Sequence, residues 1–198
     1  MPTASSAAVL LTLAAAVALP PLTEREQAQL TDTTDYTPMV EGGGLYPLLR
    51  NALKWEAGDE TGARVPDYGE ILSEPAAQRG ELYLIEGRFG RSQPAPDFSQ
   101  PGAWEDRWEQ WSVLVGESEE RVAVVYLVDP PDVSPRRWQP VRLPARFYKI
   151  WREPQPDGST RDFMVFVGHG ATLLDPAEGA MPTGPGGAVP ALMIALLA

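Results

Sequence analysis

Apolar and polar positions alternate along the stretch Gln139 to Arg152. Val141, Leu143, Ala145 and Phe147 fall on one side and Arg142, Arg146 and Tyr148 on the other. A period of two is the signature of a strand with one face packed and one face in water. Pro144 interrupts it. Proline has no amide hydrogen to give to a ladder, so an edge, a bulge or a change of partner is expected there, and with it a bent strand.

The same period recurs on both sides of this stretch. Tyr83, Ile85, Gly87 and Phe89 alternate from Glu81 onward, with Gly87 and Gly90 free to bend the chain. Trp111, Val113 and Val115 share one side of a strand from Gln110 to Gly116. A polar turn at Glu117, Ser118, Glu119 and Glu120 leads into the continuous apolar run Val122 to Val128, which predicts a hairpin whose second strand is buried on both faces. After the turn Gln155-Pro156-Asp157-Gly158 comes a last strand, Asp162 to Val167, and Ala171 to Leu174 adds a short edge.

Helical spacing appears before these strands. Leu45, Leu48, Leu49, Ala52 and Trp55 stand three and four apart, which predicts one short amphipathic helix. A second is expected from Pro66 to Ser73, opened by Pro66 and ended by Pro75, with Tyr68, Ile71 and Leu72 on its buried face.

These elements divide the 198 residues into four parts. Residues 1–22 read as a signal peptide or N-terminal anchor: no charge occurs from Ala7 to Leu22, the run is shorter than the roughly 20 residues of a bilayer span, and Ala16-Val17-Ala18 offers a small-x-small cleavage site. Residues 23–65 read as a polar linker carrying one short helix. Residues 66–174 form the strand-rich domain. Residues 175–198 read as a Pro/Gly linker followed by the apolar tail Pro190 to Ala198, which as a helix would cover only about 14 Å of a hydrocarbon core about 30 Å thick. The tail is therefore expected to be the start of a truncated membrane segment. Together the ends predict an exported, membrane-anchored protein of the cell envelope, with the membrane and an envelope protein as partners.

The formal charge is -11, which favours solubility and counts against nucleic acid as a partner. The positive charge is uneven, however. Arg136, Arg137, Arg142, Arg146, Lys149 and Arg152 are six of sixteen basic residues, and no acid occurs between Asp132 and Glu153. There is no cysteine, so disulfides, thiolate metal sites and cysteine nucleophiles are excluded.

The region Pro66 to Leu174 resembles OB-fold-like domains of uncharacterised bacterial envelope proteins. The residues that carry the resemblance are Tyr68-x-x-Ile71-Leu72-x-x-Pro75, Arg79-Gly80 opening a strand that ends in Gly87, and Val141-x-Leu143-x-Ala145-x-Phe147-Tyr148-Lys149-x-Trp151. The resemblance implies a mainly β domain, a five-stranded and partly open barrel with short helices before it. It departs from the pattern between the third and fourth strands, where a proline-rich loop stands in place of a helix. It implies no activity.

No catalytic, cofactor or metal motif stands out. His169 is the single histidine, between Gly168 and Gly170, with no second histidine or nucleophile elbow to support it. Glu117, Glu119 and Glu120 lack the spacing of a calcium loop, and Gly42-Gly43-Gly44 follows no strand. Trp104, Trp108 and Trp111 suit a sugar or base platform, but the expectation is that they cap the open end of the barrel. The sequence gives no small-molecule ligand. The candidate ligand or partner surface is Arg142, Arg146, Tyr148, Lys149, Trp151 and Arg152, a mixture of cation and aromatic that suits either pairing within the protein, a protein or lipid contact, or a single-stranded nucleic acid. The function expected is a non-catalytic binding or scaffolding module, with oligonucleotide or polyanion binding by 139–152 as the alternative.

Overall fold

The apolar run Val122 to Val128 forms a central strand whose alternate residues point into two separate cores. Ala123, Val125 and Leu127 join one cluster, and Val122, Val124, Tyr126 and Val128 the other. In the computed structural model, which describes residues 19–38, 42–56, 60–94, 108–116 and 120–175, this is the third of six strands. They are β1 (Leu82–Pro94), β2 (Trp108–Val115), β3 (Arg121–Val128), β4 (Pro140–Pro154), β5 (Thr160–His169) and β6 (Thr172–Leu173).

β1 pairs with β2, β2 with β3, β3 with β5, β5 with β4 and β4 with β1, so five strands close into a ring; the β3–β5 pair is parallel and the others antiparallel. β6 adds two residues to β4. The domain is an OB-fold-like, five-stranded β-barrel, mainly β with a few short helices.

Two strands bend to close it. β1 meets β4 over Leu82 to Arg88 and β2 over Arg88 to Pro94. At the crossover a Cβ on Gly87 would lie 2.2 Å from the Leu114 carbonyl oxygen, an approach that only glycine permits. β4 exchanges β1 for β5 near Ala145 and Arg146, just past Pro144, and carries a bulge between Phe147 and Lys149. The bulge reverses the alternation. Phe147 and Ile150 both face the barrel interior, while Tyr148 packs outside.

Among the described residues four helices precede the strands, and three of them serve the two cores. α1 (Glu24–Leu30) opens with a capping box, in which the Glu26 amide donates to Thr23 Oγ1 at 3.3 Å and the Thr23 amide to Glu26 Oε2 at 2.8 Å. α2 (Leu45–Ala52) buries Leu45, Leu48, Leu49 and Ala52, the predicted face, against the outer side of β4 and β5, in a cluster that β3 also joins. α3 (Tyr68–Ser73) is capped by Asp67, which accepts from the amides of Gly69 and Glu70 at 2.8 and 3.0 Å. Its Ile71, fully buried, plugs the interior, with Tyr68 and Leu72 beside it. Pro75 does not simply end α3. It starts the one-turn α4 (Pro75–Gln78).

Residues 23–38, expected as linker, are part of the fold instead. Beyond α1, Thr37 bridges to Trp151 in parallel, with the Tyr36 amide donating to the Ile150 carbonyl at 2.9 Å and the Arg152 amide to the Thr37 carbonyl at 3.0 Å. Leu19 is buried in the outer cluster as well. Residues 1–18 and 176–198, on which most of the export and anchor expectation rests, lie outside the described residues, as does Trp104. Among the described residues no helix is long and apolar enough to cross a membrane.

Candidate ligand-binding surface

The six residues expected to form a surface on β4 are not brought together on one. The odd-numbered interior face of β4 is as predicted, but its outer face meets the N-terminal segment before it meets water. Arg146 is buried at 7 % exposure, with Nε donating to Asn51 Oδ1 at 3.0 Å, Nη1 to the Gly80 carbonyl at 2.8 Å and Nη2 to the Pro20 carbonyl at 3.0 Å. Its guanidinium lies 5.7 Å from the Trp55 ring centre. Burial pushes its acidity up, lowering its pKa from the ordinary value, against the pull of Glu81 and Glu26. This arginine fastens α2 and the chain before α1 to the barrel.

Tyr148 is 1 % exposed in the outer core. Lys149 is also buried, its Nζ donating to Thr37 Oγ1 at 2.8 Å. Burial lowers its pKa, Asp35 opposes that and Arg79 adds to it. The two neighbours are themselves paired: Arg79 donates to the Asp35 carboxylate and, through Nε, to the Tyr148 carbonyl at 3.1 Å, and Asp35 Oδ1 accepts from the Ile150 amide at 2.8 Å. Three residues of the expected surface are thus interior.

The other three reach solvent in part. Arg142 Nε is 2.7 Å from Glu86 Oε1 across the β1–β4 ladder. Arg152 holds Asp162 with two bonds of 2.7 and 2.8 Å and lies 4.7 Å from the Tyr36 ring centre. Trp151 packs against the outer core, its ring 5.0 Å from that of Phe163. Both exposed arginines on the strand are therefore committed to carboxylates one strand away.

The tryptophans also separate. Trp111 enters the barrel against Phe89, ring centres 4.9 Å apart, whereas Trp108 leans on Tyr126 outside it at 5.5 Å. His169 is buried at the end of β5, Nε2 3.7 Å from Asp129 Oδ2, too long for a hydrogen bond. No group of three potential metal ligands occurs among the described residues. A cleft of about 310 Å³ opens beside Leu19, Leu22, Arg64, Glu81 and Arg146, but the three donor nitrogens of Arg146 already point at protein oxygens.

What the reading of β4 passed over lies just before it. Arg136 and Arg137 are exposed at the end of the β3–β4 loop, and Trp138 is half-buried beside them. The Arg137 guanidinium sits 5.0 Å from the Trp138 ring centre. Neither arginine has an ion pair among the described residues. The signal for it in the sequence is Arg136-Arg137-Trp138 in the acid-free stretch, within the proline-rich loop before β4.

No protein-family profile matches the sequence, and no curated protein does. Solved structures do. Two crystal structures of the mitochondrial single-stranded DNA binding protein Rim1 of S. cerevisiae are similar at 16 % and 17 % identity, covering 48 % of this chain and 92 % and 95 % of theirs, with TM-scores of 0.31 and 0.32. The aspartyl tRNA synthetase of Entamoeba histolytica is similar at 7 % identity and a TM-score of 0.35, over 84 % of this chain but 29 % of that protein. The expectation that counted against nucleic acid is corrected by the first two. Proteins named for binding single-stranded DNA stand among the similar structures.

Proposed function

We propose that the chain is a non-catalytic OB-fold-like binding module for oligonucleotides or comparable polyanions. The observation that supports this is the fate of its positive charge. Arg146, Lys149 and Arg79 are buried, Arg142 and Arg152 are paired with carboxylates, and Arg136 and Arg137 stand exposed without an ion pair among the described residues, beside an aromatic ring. Arg25, Arg50 and Arg121 are also exposed without an ion pair among the described residues, and what sets Arg136 and Arg137 apart from them is their adjacency in an acid-free stretch and the ring of Trp138 beside them.

Anisotropy of a labelled oligo-dT, titrated with the full chain at low and at raised salt, tests the proposal. Binding should weaken log-linearly with salt, at a slope of about -0.7 for each phosphate contacted. Absence of binding at low salt rules the function out.

A further inference from the structure

Of the five described tryptophans, Trp55, Trp108, Trp111 and Trp151 pack within or against a core cluster; Trp138 belongs to neither. It is also held in an uncommon conformation. Its φ is 69°, in the left-handed region that a bulky side chain avoids at a cost of about 1–2 kcal/mol. Such a conformation persists only where surrounding bonds fix it. Here they do: the Trp138 amide donates to the Phe89 carbonyl at 2.7 Å, the Phe89 amide to the Gln139 carbonyl at 2.9 Å, the Gln139 amide to the Arg136 carbonyl at 2.9 Å and the Arg136 amide to Gln139 Oε1 at 3.0 Å. Arg88 Nη1 adds a donor 3.4 Å from the Trp138 carbonyl. The loop end is thus tied to β1, and a side chain that contributes to no core is presented from a rigid base.

We infer that Trp138 is a base-stacking platform for single-stranded nucleic acid, with Arg137 as its cationic companion and Arg136 directed at the flanking phosphate. The inference rests on the function proposed above and assigns it to a loop rather than to the barrel strands. Its chemistry selects the ligand. A ring can stack on an unpaired base, whose face is open, and not on a base inside a duplex; a sulfated polysaccharide or a lipid headgroup offers charge without a flat ring. Rigidity matters because a platform already in place loses little conformational freedom on binding.

Trp138→Gly is the informative variant, since glycine adopts positive φ without strain and the fold should survive the change. Oligo-dT, a hairpin duplex of equal length and dextran sulfate are compared against the full chain. For oligo-dT the variant should bind about tenfold more weakly, the worth of one stacked base, with an unlowered melting temperature and dextran sulfate binding unchanged. Arg136→Ala combined with Arg137→Ala should weaken all ligands and flatten the salt dependence, whereas Arg152→Ala should change none. If oligo-dT binds wild type and Trp138→Gly equally, the platform is wrong while the function stands. Equal losses for oligo-dT and dextran sulfate overturn it too, by showing that no stacking is involved. Failure of the wild type to bind oligo-dT at all removes the function and the platform together.

Discussion

Two arginine–tryptophan pairs in this molecule have the same chemistry and opposite uses. Arg146 lies over Trp55 inside the seam between α2 and β4, with three further hydrogen bonds, and Arg137 lies over Trp138 at the surface with no side-chain hydrogen bond among the described residues. In the first pair the cation is expensive to bury and is kept because it satisfies acceptors from three separate segments. In the second nothing is buried that needs it. The difference teaches that a cluster of arginine and aromatic residues in a sequence does not mark a binding surface; where its hydrogen bonds go does.

The largest effect should come from breaking the buried pair. Arg146→Met removes the donor of the Gly80 carbonyl, leaves the Pro20 carbonyl only the Asn51 side-chain amide at 3.2 Å, and leaves Asn51 Oδ1 only the indole of Trp55 at 3.0 Å. A hydrogen bond from a charged donor is worth about 1.5–3 kcal/mol, so the loss of three is expected to cost about 4 kcal/mol in urea unfolding. A loss below about 1 kcal/mol would mean that solvent replaces the bonds and that the seam is not sealed. The matching change at the surface, Arg137→Met, should leave the unfolding midpoint where it was.

Truncating the apolar partner of that seam ranks next. Leu49 is fully buried between α2 and the outer face of the barrel, and Leu49→Ala should cost about 3 kcal/mol. Unfolding should stay a single transition, because the outer cluster is shared by α1, α2, β3, β4 and β5. A separate early transition would show α2 to be a removable cover, and the closed face would then have to be counted as a ligand face in waiting.

How much of this was readable in the sequence depends on how local the cause is. β3 was legible to the residue because seven consecutive apolar side chains leave no other place for it. The face of α2 was legible from spacing. α1 was passed over because it is short and buries only Leu30, though Thr23-x-x-Glu26 is a capping signature in plain view. The fate of Arg146 was not legible at all: its acceptors Pro20, Gly80 and Asn51 lie far away in the chain, and nothing near β4 announces them. Nor was the bulge after Phe147, which turns Ile150 inward and so spoils any parity argument about Lys149, Trp151 and Arg152.

Lys149 sharpens the comparison through pH. Its folded pKa lies below the ordinary 10.5, chiefly because burial disfavours the charged form, with Arg79 acting in the same direction and Asp35 against. Below the folded value both states hold the proton and this group gives no slope. Between the folded value and 10.5 the unfolded chain binds more protons, so stability rises with pH across that window. Lys149→Met should abolish that rise in alkaline denaturation curves, and should not lower stability at neutral pH. Persistence of the same rise in the variant would assign it to another group.

The smallest effect is expected where the sequence reading placed the most weight. Arg142 and Glu86 form a bond of 2.7 Å, but their side chains are 39 % and 53 % exposed, and water and salt weaken what they share. A double-mutant cycle with Arg142→Ala and Glu86→Ala should give a coupling of no more than about 1 kcal/mol, smaller again in high salt. The cycle also bears on function. If Arg142 only balances Glu86, then Glu86→Ala frees a cation on the β1–β4 ladder two residues from Arg88, and oligo-dT binding should strengthen slightly. Should Arg142→Ala instead weaken binding as much as the loss of Arg136 and Arg137 together, the ion pair opens for the ligand, and the binding surface extends from the loop onto the strand.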